Sequence, residues 1–141
     1  MGRLLCIDYG KRRCGIAATD PLRIVATAVG TVDTSSVMDF IKDYISREQV
    51  DALVIGRPTT LRGEPSESMK YITPFVGRLR KALPQLEVIF WDERFTSSIA
   101  HKAMIEGGLP KMARRDKATV DRMAATIILN DYLRSRANQP L

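Results

Sequence analysis

Three carboxylates in this sequence stand where predicted elements begin or end, and acidic side chains there could do chemistry. Asp8 ends an apolar run, Glu93 follows a second run beside Asp92, and Asp121 falls in the first turn of a predicted C-terminal helix. Each alone has an ordinary structural explanation, because turns and helix N-termini both favour acidic residues. If the three converge, they cannot all ionise without cations. Such oxygen ligands suit Mg²⁺ or Mn²⁺, and two ions at one site can activate water for phosphodiester cleavage.

The elements that must position these carboxylates follow from hydrophobic spacing and turn residues. Apolar runs predict strands over residues 3–8, 14–19, 24–32, 52–56 and 87–91. Helical spacing predicts one helix after a cap at Ser35 or Ser36 and a second that stops at Pro84. A third helix is expected between Thr96 or Ser97 and Gly107-Gly108, and a last one from a Thr119 cap to about residue 134.

The predicted element order, βββαβαβα with the last helix following at the C-terminal end, indicates an α/β fold. Short connections between the first three strands favour an antiparallel meander, whereas strands that alternate with helices favour parallel pairing. We therefore expect a mixed five-stranded sheet with flanking helices. In the last helix, Asp121 shares a face with Ala125, Ile128 and Tyr132, which predicts that the aspartate lies at the margin of a buried surface.

Length and composition limit the possible classes of protein. The chain has 141 residues and is 45% hydrophobic and 27% charged, which fits one folded domain over residues 1–141 and not a disordered chain. No apolar run approaches the ~18 residues of a membrane-spanning helix. Cys6 and Cys14 do not form a disulfide framework, and Asp8 interrupts the N-terminal segment too early for a signal peptide. We therefore expect a cytoplasmic protein.

Positive charge favours an acidic partner, with nucleic acid the first expectation. The sequence has 22 Lys and Arg against 16 Asp and Glu, for a net charge of +6. Two basic clusters stand beside turn signals, and two further arginines lie near the predicted site. The candidate nucleic-acid contacts are Lys11, Arg57, Arg94, Arg114, Arg115 and Lys117. Arginine forks suit phosphate oxygens, although Arg94 could equally form a structural ion pair.

Four blocks of the sequence, in this order, make the chain resemble the YqgF (RuvX) family over about residues 3–133. They are Ile7-Asp8-Tyr9-Gly10 with Gly15-Ile16-Ala17; Ile55-Gly56-Arg57-Pro58; Asp92-Glu93-Arg94-Phe95-Thr96-Ser97; and Lys117 followed by Asp121-Arg122-Met123-Ala124-Ala125 and Ile127-Ile128-Leu129. The resemblance implies an RNase H-like fold related to the RuvC Holliday junction resolvase. It also implies that Asp8, Glu93 and Asp121 are metal-binding catalytic carboxylates.

By resemblance, the expected function is a nuclease that processes the 5′ end of precursor 16S rRNA. One loop departs from the family pattern, which usually has Gly-Leu-Pro followed by an Asn-Met-Asp-Gly-like segment. Here Arg57 and Arg62 make that loop basic. The alternatives are a resolvase for four-way DNA junctions, whose symmetric cutting requires a dimer, and a non-catalytic factor acting on RNA or transcription. A sugar-kinase or actin-like ATPase needs two lobes, and this chain has room for one.

Overall fold

A five-stranded sheet forms the centre of the fold, with strands β1 (Arg3–Tyr9), β2 (Arg13–Thr19), β3 (Ala26–Asp33), β4 (Val50–Arg57) and β5 (Glu87–Asp92). The strands lie side by side in the order β3-β2-β1-β4-β5. Within the described residues the helices are α1 (Val37–Arg47), α2 (Met69–Ala82) and α3 (Lys117–Ala137), with a 3₁₀ turn over Thr34–Ser36. This computed structural model describes residues 2–57, 69–92 and 117–137.

Strand pairing confirms the predicted mixed sheet. β1 pairs antiparallel with β2, and β2 pairs antiparallel with β3. β4 pairs parallel with both β1 and β5. Parallel strands end at the same side of a sheet, so β1, β4 and β5 all finish at one edge, which we call the carboxyl edge.

Alternating side chains divide the core between the two faces of the sheet. On one face, Leu5 and Ile7 of β1 and Leu53 and Ile55 of β4 pack with the apolar residues of α1 and α2. On the other face, the residues in contact are Leu4, Cys6, Ala52, Val54, Ala125, Ile128, Leu129 and Tyr132. Burying an aliphatic side chain contributes about 1.5–3 kcal/mol, so both faces help to hold the sheet and helices together.

The start of α1 differs from the expected capping arrangement. Ser36 occupies the N-cap position, as predicted for Ser35 or Ser36, but its side chain makes no capping hydrogen bond. The 3₁₀ turn Thr34–Ser36 leads directly into α1, and Ser36 itself has helical backbone angles, so its hydroxyl does not face the first free N–H groups. The predicted apolar stripe is confirmed, because Val37, Ile41 and Tyr44 are buried.

α3 begins earlier than the sequence predicted. The structure starts this helix at Lys117 and continues it to Ala137, whereas a cap at Thr119 was expected. Lys117 and Ala118 both have good intrinsic helix propensity, which favours adding the extra turn over stopping at a threonine cap. As a result, Asp121 lies in the second turn of the helix, and Lys117 is its first residue, not part of the preceding loop.

Two other expectations fall at or beyond the ends of described segments. Arg57 was predicted to open a polar loop, but it is the last residue of β4, because its pairing with Asp92 extends the parallel ladder. The predicted helix between residues 96 and 108 lies outside the described residues. No helix in the described part of the chain is long and apolar enough to cross a membrane.

Candidate active site

Asp8 lies one residue from the end of β1, the central strand of the sheet. It pairs with Gly15 of β2 and is half-buried. Cys6 and Leu4, two and four residues earlier, pack with the residues of α3, so the alternation of the strand assigns Asp8 to that face. By the same rule Gly56 of β4 belongs to this face. Asp8 therefore stands at the carboxyl edge between two neighbouring strands that carry glycines.

The neighbouring residue Tyr9 anchors the end of β1 on the opposite face. Its ring packs on that of Phe75, with 4.7 Å between the centroids. Burial raises the pKa of the Tyr9 hydroxyl, Cys14 adds to the rise, and Arg78 of α2 opposes it. Because this ring is held between the sheet and α2, the backbone that carries Asp8 has little freedom to move.

The turn that follows Asp8 is fixed by contacts from the 3₁₀ turn that precedes α1. Thr34 donates its hydroxyl to the carbonyl oxygen of Gly10 at 2.7 Å, and its backbone N–H donates to the carbonyl of Arg12 at 3.0 Å. A Cβ atom at Gly10 would collide with the carbonyl oxygen of Arg13. The tight turn thus requires glycine here, and it fixes the position of Lys11 relative to Asp8.

α3 packs on the face of the sheet to which Asp8 belongs. Near its C-terminal end, Tyr132, Leu133 and Arg136 line a cavity together with Leu4, at the start of β1. The Tyr132 ring also packs edge-on against Trp91 of β5, with 6.0 Å between the ring centroids. From Tyr132 back to Asp121 the helix extends about 16 Å at 1.5 Å per residue. The convergence of Asp121 with Asp8 stays a prediction from the sequence.

The third predicted carboxylate, Glu93, lies outside the described residues. In the sequence it directly follows Asp92. Asp92 ends β5 at the carboxyl edge, and β5 is separated from β1 by β4 alone. Two strand spacings give about 10 Å between these strand ends.

The described residues contain no group of three or more His, Cys, Asp or Glu side chains that could hold a metal ion. Of the predicted triad, only the side chain of Asp8 belongs to the described part, since Asp121 is described by its backbone alone. The carboxylate donors of the triad fit a hard divalent cation such as Mg²⁺.

The predicted phosphate-binding residues do not all share one face. Lys11 is exposed on the turn between β1 and β2, three residues after Asp8. Arg57 is exposed at the carboxyl edge, but it continues the series Leu53 and Ile55 and so belongs to the α2 face, opposite Asp8. Lys117 begins α3, and its side chain lies outside the described part. Arg94, Arg114 and Arg115 also lie outside the described residues.

The structure shows two residues that the sequence interpretation missed. Tyr71 of α2 lies under the Lys11 ammonium, which is 5.5 Å from the ring centroid, and its side chain is 46% exposed. Arg80, in the last turn of α2, lines a cavity that Arg57 also lines. No local pattern predicts the first contact, because 60 positions separate the two residues. The exposed position of Arg80 on the helix could have been predicted, but its place in the same cavity as Arg57 could not.

A five-stranded sheet in the order β3-β2-β1-β4-β5, with β2 antiparallel to both of its neighbours, is the arrangement of an RNase H-like fold. The structure of T. thermophilus RuvC in complex with Holliday junction substrate is similar in fold, with a TM-score of 0.57 and 13% sequence identity over 100% of both chains. The chain belongs to the RuvX family, whose sequence model, described as "Holliday junction resolvase", matches residues 2–135.

Curated relatives support this membership over nearly the full chain. A protein of Parabacteroides distasonis is 51% identical over 139 residues, which cover 99% of each chain. One of Porphyromonas gingivalis is 50% identical over 133 residues, 94% of this chain and 96% of the relative. One of Flavobacterium johnsoniae is 45% identical over 136 residues, 96% of this chain and 99% of the relative. All three carry the name "Putative pre-16S rRNA nuclease".

Proposed function

We propose that this protein is a metal-dependent nuclease of the bacterial cytoplasm that cleaves structured RNA, with precursor 16S rRNA as its substrate. The observation that carries the proposal is the position of Asp8, half-buried at the end of the central strand and facing α3. The names of the curated relatives supply the substrate. The proposal treats residues 1–141 as one domain.

In this proposal Asp8, Glu93 and Asp121 are the catalytic residues and hold Mg²⁺ or Mn²⁺, with room for two ions. The ions would supply an activated water and neutralise charge on the leaving oxygen. The protein contributes a fixed frame for these ligands. Tyr9 and the Gly10 turn hold the end of β1, and the buried face of α3 sets the distance of Asp121 from the sheet.

Basic side chains are proposed to bind the RNA backbone, with Lys11 close to Asp8 and Arg57 on the opposite face of the same edge. Lys11, Arg57, Arg94, Arg114, Arg115 and Lys117 would contact phosphates, which orients the strand without reading its sequence. Lys11 supports this role most directly, because it is exposed within three residues of Asp8. Among the described residues, no carboxylate forms an ion pair with it.

The test is cleavage of precursor 16S rRNA by the purified protein with Mg²⁺ or Mn²⁺. Asp8→Asn, Glu93→Gln and Asp121→Asn should each lower the rate by about 100-fold or more, since a lost metal ligand removes several kcal/mol of transition-state stabilisation. EDTA should abolish cleavage by the wild type but leave RNA binding in place. Asp39→Asn, an exposed change on α1, is the matched control and should cleave normally.

Full activity in all three variants would contradict the proposed catalytic role of Asp8, Glu93 and Asp121. Binding of RNA without metal and without cleavage of any substrate would instead favour a non-catalytic factor. Depletion of the protein in cells should leave 16S rRNA with unprocessed 5′ ends, and unchanged ends would contradict the proposed substrate.

A second candidate is resolution of four-way DNA junctions, favoured by the description of the family and by the fold of RuvC. The same protein offered both substrates separates the two functions. Symmetric cutting of a junction requires two active sites, so a protein that stays monomeric on the junction argues against this candidate.

A further inference from the structure

A second recess runs along α2 from the carboxyl edge, on the face of the sheet opposite Asp8. It has a volume of about 430 Å³ and opens between α2 and the sheet at Arg57 of β4 and Phe90 of β5. Its apolar wall is formed by Met69, Val76 and Phe90, and its charged side by Arg57 and Arg80. No carboxylate is among the described residues that line it, so this recess is chemically unlike the proposed metal site.

Both arginines present positive charge to the recess. Both are exposed, and neither forms an ion pair with any carboxylate in the described part of the chain. They come from different elements, the end of β4 and the last turn of α2. A guanidinium donates two parallel hydrogen bonds to phosphate oxygens, so a pair of them suits a phosphate group better than it suits a single carboxylate.

The apolar wall favours a ligand that also has a flat apolar part, such as a ring. Small-molecule sites are typically 300–1,000 Å³, with mostly apolar lining and a few polar groups that fix orientation. Gly77 of α2 also lines the recess, and a Cβ atom there would meet no other atom within 4 Å. The missing side chain leaves an open shelf beside Val76, on which a flat ring can lie.

We infer that this recess binds a nucleoside phosphate, with the base against Met69, Val76 and Phe90 and the phosphate at Arg57 and Arg80. The ligand is either a free nucleotide or an unpaired nucleotide of an RNA strand, since both present the same chemistry. The site needs no divalent metal, and its occupation does not depend on the proposed cleavage reaction.

The experiment is a titration of the full-length protein in EDTA, in which NMR or calorimetry measures the binding of two probes. The two probes are adenosine 5′-monophosphate and a single-stranded RNA hexanucleotide. Arg57→Gln and Arg80→Gln should each weaken binding by about 10-fold. Lys81→Gln is the matched control, because it removes one positive charge from the neighbouring exposed position of α2, and its affinity should stay within about twofold of the wild type.

Gly77→Leu blocks the recess without harming the helix. Leucine has a better helix propensity than glycine, and the added atoms enter open space, so the unfolding temperature should stay the same or rise. Binding of both probes should fall at least 10-fold. Saturable binding of the mononucleotide identifies a free nucleotide as ligand, and binding of the hexanucleotide alone identifies the RNA strand. Absence of binding for both probes, or binding that Gly77→Leu leaves intact, overturns the inference, whatever the cleavage assays show.

Discussion

Asp51 and Arg23 join three segments at the edge of the sheet where β1 begins. The Asp51 carboxylate accepts the backbone N–H of Gly2 at 2.8 Å and the Arg23 guanidinium at 2.6 Å. Arg23 also donates to the carbonyl oxygen of Gly2, and it has a positive φ of 59°, which orients its side chain from a tight turn. One carboxylate therefore fixes the start of β1, the start of β4 and the turn between β2 and β3.

These bonds make Asp51 a source of acid-sensitive stability. The Gly2 N–H lowers the pKa of the Asp51 carboxyl, and Arg23 lowers it further. A carboxyl whose pKa is lowered in the folded state stabilises the protein at pH values above the ordinary aspartate pKa of about 4. This stabilisation is lost as the pH falls through the lowered pKa of the folded state. Asp51→Asn should therefore lower the unfolding temperature at pH 7, with a difference that shrinks toward pH 3.

Thermal unfolding of both proteins across this pH range measures the effect. Asp43→Asn is the control, because Asp43 forms only an exposed pair with Arg47 on α1, and such pairs contribute little. A difference between Asp51→Asn and wild type that stays constant from pH 7 to pH 3 would show that the pairing is not the cause.

Single residues also show what a sequence can and cannot predict. The position of Asp8 at a strand end follows from an apolar run that stops at an acidic residue and a glycine. The face of Arg57 follows from counting by twos from Leu53. The contact between Lys11 and Tyr71 does not follow, because it depends on how the turn and α2 meet across the sheet.

At the scale of elements, the depth at which α3 packs on the sheet depends on small side chains. Ala125 is 0% exposed and lies against the β-sheet face that carries Leu4, Cys6 and Ala17. The same helix carries Asp121 one turn earlier. The packing distance at Ala125 therefore sets where the backbone of Asp121 stands relative to Asp8.

Ala125→Leu should separate the contribution of this residue to stability from its effect on the position of Asp121. Overpacking costs about 1–3 kcal/mol of stability and pushes the helix away from the sheet. The cleavage rate should fall further than the loss of folded protein accounts for, since the proposed metal ligands are displaced. Rates normalised to the folded fraction from circular dichroism test this. Arg134→Ala, an exposed change in the same helix, is the control, and equal normalised rates for both variants would contradict the proposed role of α3.

The order of the elements was predictable, but some of their boundaries were not. Periods of two and 3.6 residues distinguish strands from helices, which is why the βββαβαβα order and the mixed sheet are confirmed. The predicted start of α3 was wrong because the helix propensity of Lys117 and Ala118 outweighs a cap at Thr119. The predicted end of β4 was one residue too early, because Arg57 pairs with Asp92 of a strand that is far away in the sequence.

At the scale of the whole molecule, the net charge of +6 is unevenly distributed. The excess belongs mainly to the first 30 residues and to those after residue 108, while the proposed centre is acidic. Of the described basic residues, Lys11 and Arg57 stand at the carboxyl edge, whereas Arg47 ends α1 at the opposite edge, where β4 begins. If RNA is bound at the carboxyl edge, charge at the two edges should contribute differently to binding.

Salt dependence measures that difference. Each phosphate that a protein neutralises releases counterions, so the logarithm of the RNA-binding constant falls linearly with the logarithm of salt concentration, by about 0.7–0.9 per contact. Lys11→Gln should reduce this slope by about one contact, and it should weaken binding to unrelated RNA sequences alike, because phosphates carry no sequence information. Arg47→Gln removes the same charge from the opposite edge and should leave the slope unchanged. Binding is measured in EDTA to prevent cleavage. Equal slope changes in the two variants would mean that the RNA responds to total charge, and not to a binding surface at the carboxyl edge.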